Sequence, residues 1–292
     1  RFLRGIIDSE DLPLNISREM LQQNRIMTAI RTASVKKVLG EFTRISLEDP
    51  ELYAKFIQQY NRPLKEGLYQ DFANREQLID LVRFKSTEVD GYTSLDEYKK
   101  RMLKDQKAIY YITGGDEQTL RNSPLLEAYR KNKLEVLIMD DELDEIVVPS
   151  IGTYKEVELK PINRADAGDD LKESKDKKKE KELEPVVDRI KNALGDHVKD
   201  VRLSVRLSDS PSCIVVDDAD PTLKMQEMLR ALGQEDLPDV KPILEINPDH
   251  PIVAKLSAVE DDEFAGDVAF LLLDQAYLAE GAPVEEPSEI GR

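Results

Sequence analysis

Arg18 and Gln22 are the residues whose types and spacing point most directly to chemistry, because they lie at the start of a predicted long helix. Ser17 is a suitable N-cap, so Arg18 falls in the first turn, where the helix dipole already presents positive charge. A cation there is unfavourable unless an anion sits in front of it, and such helix starts bind phosphate. Gln22 lies one turn later on the same face. The residues alone leave two interpretations open, a phosphate contact and a solvated arginine.

An acidic run follows a predicted buried strand, where α/β folds often place metal-binding carboxylates. Its members are Asp140, Asp141, Glu142, Asp144 and Glu145. A metal-dependent phosphoryl-transfer enzyme would use Asp140, Asp141 and Asp144, and this enzyme is our alternative function. The competing interpretation is that acidic residues at the next helix start complement the helix dipole.

Other reactive residues are sparse. Cys213 is the single cysteine, so it is predicted to be a small buried hydrophobe, and neither a zinc site nor a thiol mechanism has support. His197 and His250 lack ligand spacing. The Gly114-Gly115 turn is a weak candidate for a phosphate loop because no Gly-Lys-Ser/Thr follows it. We therefore expect no metal site.

Length and charge limit the classes of function. The 292 residues fit two modest domains, and a net charge of -17 argues against nucleic acid as a partner. No apolar run reaches the roughly 20 residues of a membrane span, and no cleavable signal is visible. The chain opens on Arg1 without an initiator Met, so we expect a fragment of a longer protein.

The first third of the sequence is predicted to be helical. Apolar residues recur at intervals of three and four over residues 20–45, which indicates a long amphipathic helix. Further helices are predicted over residues 50–60, 74–84 and 94–103. The last begins at Ser94 with Glu97 three positions later, a capping box.

A small α/β unit follows. Residues 108–113 form a short aromatic and β-branched run that predicts a buried strand, and residues 134–139 supply a second strand. A helix predicted over Glu117 to Lys131 joins them, so we expect parallel strands with a right-handed crossover.

An almost wholly charged run between Ala165 and Glu184 is predicted to be the domain boundary, either as a solvated helical spacer or as an electrostatic docking site. A helix is expected from Leu183 to Leu194. Then alternating residues predict a strand that buries Val201, Leu203, Val205 and Leu207. Residues 214–216 are expected to return antiparallel to it, and three helices close the chain over residues 221–232, 250–259 and 263–280.

Two of these last helices carry unusual apolar surfaces. Met225, Met228, Leu229 and Leu232 fall at i, i+3, i+4 and i+7, a stripe that suits either a core or a surface accepting many partners. The final helix has two stripes, which favours deep core or an oligomer interface. The first stripe is Phe264, Val268, Leu271 and Leu278, and the second is Phe270, Leu273 and Tyr277.

The segment Arg4-Gly5-Ile6-Ile7-Asp8-Ser9-Glu10-Asp11-Leu12-Pro13-Leu14-Asn15-Ile16-Ser17-Arg18-Glu19 resembles the most recognisable block of the middle domain of the HtpG-type chaperones, in the ninety-kilodalton heat-shock family. Further blocks resemble the family in the right order: Phe72-Ala73-Asn74, Leu81-Val82-Arg83-Phe84, Ile109-Tyr110-Tyr111-Ile112-Thr113, Glu135-Val136-Leu137 and Glu245-Ile246-Asn247-Pro248. The resemblance covers nearly the whole chain.

The resemblance implies an α/β plus α+β multidomain fold. We expect the helical part of a middle domain over residues 1–105, its small α/β subdomain over 106–165, a charged connector over 166–182, and a C-terminal α+β dimerisation domain over 183–292. By resemblance, Arg18 and Gln22 contact the terminal phosphate of ATP held by a preceding domain that is absent here. The chain itself should then be no enzyme and hold no cofactor, while the full-length parent would use ATP and Mg as an ATPase.

The resemblance also implies partners. In that family a C-terminal amphipathic helix contacts unfolded clients, and Met225, Met228, Leu229 and Leu232 occupy the matching positions, so we expect their side chains to be largely exposed. Two helices per protomer form the homodimer interface, to which Phe264, Val268, Leu271, Leu273, Tyr277 and Leu278 would contribute. The second of these helices looks cut short at residues 287–292. We expect a cytoplasmic bacterial chaperone with unfolded clients and co-chaperones as partners, no nucleic acid and no membrane; a plain scaffold with a buried methionine helix is a third interpretation.

Overall fold

The computed structural model describes residue 6 and residues 25–171, 177–234 and 240–284 of the chain. These residues fall into two compact units. The first comprises residues 25–83 with 94–96, and the second comprises residues 84–93 with 97–284. The mixture of helices with two small mixed sheets agrees with the expected fold class. The finer domain limits, including the connector over 166–182, stay predictions.

The first unit packs helices α1 (Arg25–Glu48), α2 (Pro50–Gln70) and α3 (Arg75–Leu81) around an apolar core. Asp49 caps α2, because its side chain accepts a hydrogen bond from the amide of Leu52 at 3.0 Å. Pro50 follows in the first helical turn, where a missing N–H costs nothing. The buried apolar side chains of this unit include Leu39 and Phe42 on α1, Tyr53, Ile57, Leu64 and Leu68 on α2, and Leu78, Ile79 and Leu81 on α3.

The second unit begins with a mixed sheet in the order β1-β3-β2-β5-β4. Its strands are β1 (Lys85–Ser86), β2 (Ala108–Ile112), β3 (Val136–Ile138), β4 (Thr153–Tyr154) and β5 (Val157–Pro161), with α4 (Leu95–Arg101) between β1 and β2. β2 runs parallel to β3 and to β5, as the strand-helix-strand pattern predicted for β2 and β3. The two edge strands are antiparallel to their neighbours, β1 to β3 and β4 to β5. The strands β4 and β5 were not predicted.

The single helix predicted over Glu117 to Lys131 is wrong. The chain forms α5 (Glu117–Asn122), a 3-10 turn over Pro124–Leu126 and α6 (Glu127–Lys131), before α7 (Asp144–Ile151). Ser123 adopts an extended backbone, and its hydroxyl oxygen accepts a hydrogen bond from the amide of Leu125 at 3.2 Å. Pro124 has no amide hydrogen to continue the helix and disfavours a helical residue before it.

A second sheet, in the order β6-β8-β7, is formed by β6 (Asp200–Leu203), β7 (Ser212–Val215) and β8 (Ile243–Ile246). The predicted direct pairing of the strand at Val201 with the strand at Ile214 is wrong. β8 lies between them, parallel to β6 and antiparallel to β7. The surrounding helices are α8 (Lys177–Leu194), α9 (Leu223–Ala231), α10 (Pro251–Leu256) and α11 (Asp262–Ala279). The last three confirm the predicted helices.

The residues after β6 reverse the predicted burial pattern. The strand ends at Leu203, and Ser204 and Arg206 are then buried, at 6% and 0% exposure. Val201 is buried as expected, whereas Leu203, Val205 and Leu207, also expected to be buried, are half-buried. The reversal is stable because Arg206 meets the buried carboxylate of Glu245.

The apolar core over the second sheet joins α8 to α11. Its buried members include Leu183, Val186, Ile190 and Leu194 on α8 and Ala265, Ala269, Leu272, Leu273 and Ala276 on α11. Three of the five on α11 are alanines, and small side chains let α11 lie close to the sheet. The core of this domain therefore buries only part of the apolar surface of α11.

Main-chain hydrogen bonds connect the two sheets along a seam. The amide of Ala165 donates to Val216 at 2.9 Å, the amide of Val216 donates to Asn163 at 3.2 Å, and the amide of Ala128 donates to Arg206 at 3.0 Å. Cys213 lies in an apolar cluster beside this seam with Tyr110 and Tyr129 of the first sheet's layer. Its buried position confirms the sequence prediction, and burial raises the pKa of its thiol.

Candidate functional site

Arg18 and Gln22, the predicted phosphate contacts, lie outside the described residues. The same holds for residues 287–292, which were expected to begin a second dimer helix. Both expectations stay predictions. The described residues do include the two other candidate surfaces, on α9 and on α11.

Thr222 fixes the start of α9. Its hydroxyl oxygen accepts a hydrogen bond from the amide of Met225 at 3.1 Å, which caps the helix. The same hydroxyl donates to Glu145 Oε2 at 2.8 Å. Thr222 and Glu145 are both buried, so α9 is anchored to the first turn of α7.

The apolar stripe of α9 does not point into the core. Gln226 is the side chain of this helix that is buried, at 7% exposure. Leu232, just past the last turn, is 78% exposed, whereas Met225, Met228 and Leu229 are half-buried. The expectation of large exposure therefore needs correction for three of the four side chains. The interpretation as a scaffold with a buried methionine helix is wrong, because none of the four side chains is buried.

The stripes of α11 divide between the core and the surface. Phe264, Leu271 and Leu278 are 54%, 44% and 57% exposed, and their spacing of seven places them on one side of the helix. Val268 and Tyr277 are half-buried against the core, and Leu273 is only 3% exposed inside it. Leu273 therefore packs within its own domain, and the exposed stripe consists of Phe264, Leu271 and Leu278.

None of the helices in the described part of the chain combines the length and the apolar composition that a membrane span requires.

The acidic run after β3 is held by protein contacts. Asp140 Oδ2 lies 2.7 Å from Lys85 Nζ, which also contacts Glu117 Oε2 at 2.6 Å. Burial opposes the charge of Lys85, but hydrogen bonds to Asp140 and Glu117 outweigh it and raise its pKa. Over residues 25–171, 177–234 and 240–284, no group of three or more acidic, His or Cys side chains is arranged to hold a metal ion. The phosphoryl-transfer alternative has no support.

A buried ion network lies beside the seam. Glu245, 2% exposed, accepts hydrogen bonds from Arg202 Nη2 at 2.6 Å and from the hydroxyl of Ser204 at 2.8 Å. Arg206 Nη1 donates to the carbonyl of Ile162 at 2.6 Å, so the network reaches the end of β5. Burial opposes the charge of Glu245, but the charges of Arg206 and Arg202 outweigh it and hold its pKa below the ordinary value. No sequence pattern indicated this network, because Arg202, Ser204 and Arg206 alternate with apolar residues and were interpreted as the polar face of a strand.

A cleft of about 580 Å³ opens where α7, the end of β5 and the start of α9 meet. Glu145 and Asn163 line it, together with Thr222 and Met225. Asn163 was not singled out from the sequence, and Glu145 was interpreted as complementing a helix dipole. Nothing in the sequence pattern indicates that these two residues share a cavity, since its lining comes from residues far apart in the chain.

Comparisons with known proteins give one consistent answer. All 292 residues match the family model described as Hsp90 protein. Three similar relatives, each named chaperone protein HtpG, come from Treponema denticola, Treponema pallidum and Aliarcobacter butzleri. Their identities are 57%, 53% and 52%, over 98%, 97% and 98% of this chain. The alignments cover 46%, 46% and 45% of the relatives, so the chain spans about half the length of the curated relatives it matches.

Proposed function

The chain belongs to the Hsp90 family, and on this basis we propose that it is a molecular chaperone segment that binds unfolded or partly folded client proteins. The observation that carries the proposal is the orientation of α9. This helix buries the polar side chain of Gln226 and leaves Leu232 exposed and Met225, Met228 and Leu229 partly exposed. A helix that only stabilised its own domain would be expected to bury its apolar side instead.

The chemistry of the α9 stripe suits clients of many sequences. Methionine side chains are unbranched and polarizable, so Met225 and Met228 adapt to differently shaped apolar partners. Removing apolar area from water contributes roughly 25 cal/mol per Å², from which the cost of ordering the client is subtracted. Contacts of this kind are weak and reversible, as a chaperone needs.

We propose that nucleotide control comes from outside the described residues. Arg18 and Gln22 would contact the terminal phosphate of ATP bound with Mg by an upstream part of the longer protein. This chain would then contribute to hydrolysis without binding nucleotide alone. ATP binding upstream would change the arrangement of the two protomers and thereby the grip on a client. The setting we propose is the bacterial cytoplasm.

We propose that two copies associate through α11. Phe264, Leu271 and Leu278 form an exposed apolar stripe, and a twofold axis would bring the same stripe of a second copy against it. Val268 would contribute from its half-buried position. Co-chaperones are further partners that the family membership implies.

The client proposal is tested by aggregation of a heat-unfolded client protein, measured by light scattering without nucleotide. Three variants of the intact chain are compared with the unaltered chain: Leu232→Asp, the triple variant Met225→Asp with Met228→Asp and Leu229→Asp, and a control. The control replaces Leu47, Leu52 and Phe72, exposed apolar residues of the first unit, by Asp. It matches the triple variant in charge and in number of apolar residues lost.

We expect the unaltered chain and the control to suppress aggregation equally, and both α9 variants to suppress it less. Melting temperatures of all variants are measured first, so that a misfolded variant is not scored. Leu232→Asp is the decisive variant, because its 78% exposure makes loss of folding a poor explanation. Client binding by α9 would be contradicted if Leu232→Asp and the triple variant both suppressed aggregation as well as the unaltered chain does.

A further inference from the structure

The cleft between α7, β5 and α9 has a polar lining of one dominant sign. Five acidic and two basic residues line it. The acidic residues are Asp144, Glu145, Glu158, Asp166 and Asp218, and the basic residues are Lys160 and Arg164. Its volume of about 580 Å³ lies within the range of about 300–1,000 Å³ that small-molecule sites occupy. The cleft therefore attracts cations and has room for an organic one.

Glu145 supplies a buried acceptor in the lining of this cleft. The residue is 5% exposed, and Thr222 satisfies only its Oε2 atom. Among the residues that the structure describes, Oε1 has no hydrogen-bond partner. A buried carboxylate oxygen left in this state costs free energy, so a donor that reaches it gains more than it would in water.

Asn163 adds a second acceptor to the same lining. Its Oδ1 atom is buried and likewise has no donor from the described part of the chain. Two oxygens of this kind in one cleft call for a ligand that carries several N–H groups. An ammonium or a guanidinium group has this property and also matches the charge of Glu145.

The two cations of the lining are already engaged. Lys160 Nζ lies 3.4 Å from Asp166 Oδ2, and Arg164 Nη1 donates to the main-chain carbonyls of Asp217 and Asp220. Asp166 and Asp218 also lie close enough that burial and their mutual repulsion raise the pKa of Asp218. These contacts engage Lys160 and Arg164 with groups other than Glu145, and the five acidic residues of the lining outnumber its two basic residues.

We propose that this cleft binds an organic cation, an ammonium or guanidinium group that donates hydrogen bonds to Glu145 Oε1 and Asn163 Oδ1. The apolar part of the ligand lies against Ile146, Pro149 and Met225, which line the same cleft. The absence of a three-ligand metal cluster among the described residues agrees with an organic cation rather than a metal ion. This site goes beyond the proposed chaperone function and does not depend on it.

Such a ligand would act on α9 as well. Glu145 anchors the N-cap Thr222, and Met225 in the first turn faces the cleft. A bound cation therefore contacts both the residue that holds α9 and the helix itself. Its binding couples an ionic site to the position of an apolar helix.

The test is isothermal titration calorimetry of the intact chain with three probes at physiological ionic strength. The probes are putrescine as a free diamine, N-acetyl-lysine amide as a polypeptide-borne amine, and the neutral diol with the carbon chain of putrescine. We expect at least one amine to bind at one site and the diol not to bind. The tighter of the two amines identifies the source of the cation. Absence of amine binding, or equal binding of the diol, would overturn the proposal.

Three variants locate the site. Glu145→Gln keeps an oxygen for Thr222 but removes the charge, and we expect it to weaken amine binding about ten-fold or more. Asn163→Asp adds a carboxylate at the second acceptor and should tighten binding, so the proposal stays falsifiable even if Glu145→Gln folds poorly. Glu260→Gln removes the same charge at an exposed position outside the cleft and should leave affinity unchanged. The assignment would be overturned if Glu145→Gln and Asn163→Asp, each measured separately, both bound the amine with unchanged affinity.

Discussion

Arg206 Nε lies 2.9 Å from Glu245 Oε2, and the two side chains are 0% and 2% exposed. The Nε atom makes an ion-pair contact only, because it has no hydrogen-bond partner within the described residues, whereas Nη2 donates a hydrogen bond to Glu245 Oε1 at 3.2 Å. The Nη atoms also donate to the carbonyls of Ile162, Arg164 and Ala165. One buried charge pair therefore satisfies main-chain groups that belong to the end of the first sheet.

Removing Arg206 should destabilise the second unit strongly. Arg206→Met leaves a buried carboxylate and several carbonyls with fewer donors, so we expect the free energy of unfolding to fall by about 3–5 kcal/mol. Urea denaturation followed by circular dichroism measures it. Arg202→Met is the matched comparison, because Arg202 also pairs with Glu245 but its side chain is 36% exposed. We expect a loss of only about 1 kcal/mol there, and equal losses would show that burial does not set the strength of this network.

Glu127 should stabilise the turn after Arg206. Its carboxylate accepts hydrogen bonds from the amides of Ser208, Asp209 and Ser210 at 2.7, 2.9 and 3.1 Å, and from the hydroxyl of Ser210. Burial opposes its charge, but these hydrogen bonds outweigh burial and hold the pKa of Glu127 below the ordinary value. We expect Glu127→Gln to lower the free energy of unfolding by about 1–2 kcal/mol at neutral pH.

The effect of Glu127 should depend on pH in one direction. A lowered pKa contributes stability above the ordinary glutamate pKa, and that contribution is lost as the pH falls through the lowered value. The difference between the unaltered chain and Glu127→Gln should therefore shrink on acidification. Glu184→Gln, an exposed change on α8, should show no such trend. A difference that grows towards low pH would contradict this role.

Glu280 should have the opposite pH dependence. Burial raises the pKa of its carboxyl to about 7, although a hydrogen bond from the Ser123 hydroxyl at 2.9 Å opposes this. The folded chain then binds the proton more tightly than the unfolded chain, so stability falls as the pH rises from the ordinary range towards 7. The melting temperature of Glu280→Gln, relative to the unaltered chain, should thus be higher at about pH 8 than at about pH 5. Because Glu280 keeps part of its surface in water, we expect less than the full effect of burial.

Glu263→Gln is the control for that comparison, since Glu263 is exposed in the first turn of the same helix. Its effect on the melting temperature should be similar at both pH values. A parallel pH response of the two variants would mean that Glu280 ionises as an ordinary carboxyl.

The α11 stripe should govern association of the chain. Leu271→Glu places a charge in the middle of the stripe, and we expect it to weaken self-association at least ten-fold. Sedimentation velocity over a range of concentrations measures this. The melting temperature should be unchanged at concentrations too low for association, because the substituted side chain is exposed in the single chain. Ile252→Glu on α10, at a residue with 37% exposure, is the matched control. An unaltered chain that stays monomeric throughout would argue against dimerisation through these residues.

Local patterns were enough to predict most helices and the parallel strands β2 and β3. The spacing of apolar residues identified α9 and α11, and the apolar runs at Ile109 and Leu137 identified buried strands. The pattern could not say which stripe of α11 the chain would bury itself. That choice depends on α8 and the sheet, which place Leu273 inside and Leu271 outside.

Long-range pairing was the part that the sequence concealed. β8 is only four residues long, and Glu245 interrupts its apolar run, so nothing local indicated that it would enter between β6 and β7. The burial of Arg206 was missed for the same reason, because its partner is 39 positions away. A polar residue in an alternating strand pattern is predicted to face solvent unless a carboxylate distant in sequence is known to pair with it.

The seam between the two sheets has a consequence for cleavage of the chain. Hydrogen bonds from Ala165 to Val216 and from Ala128 to Arg206, with the apolar cluster beside them, join the two sheets. A chain whose backbone was cut once between the two sheets would therefore leave two polypeptides that elute together under native conditions and separate only in denaturant. The two polypeptides would behave as a split protein, and a reporter could be fused to the new terminus of each one.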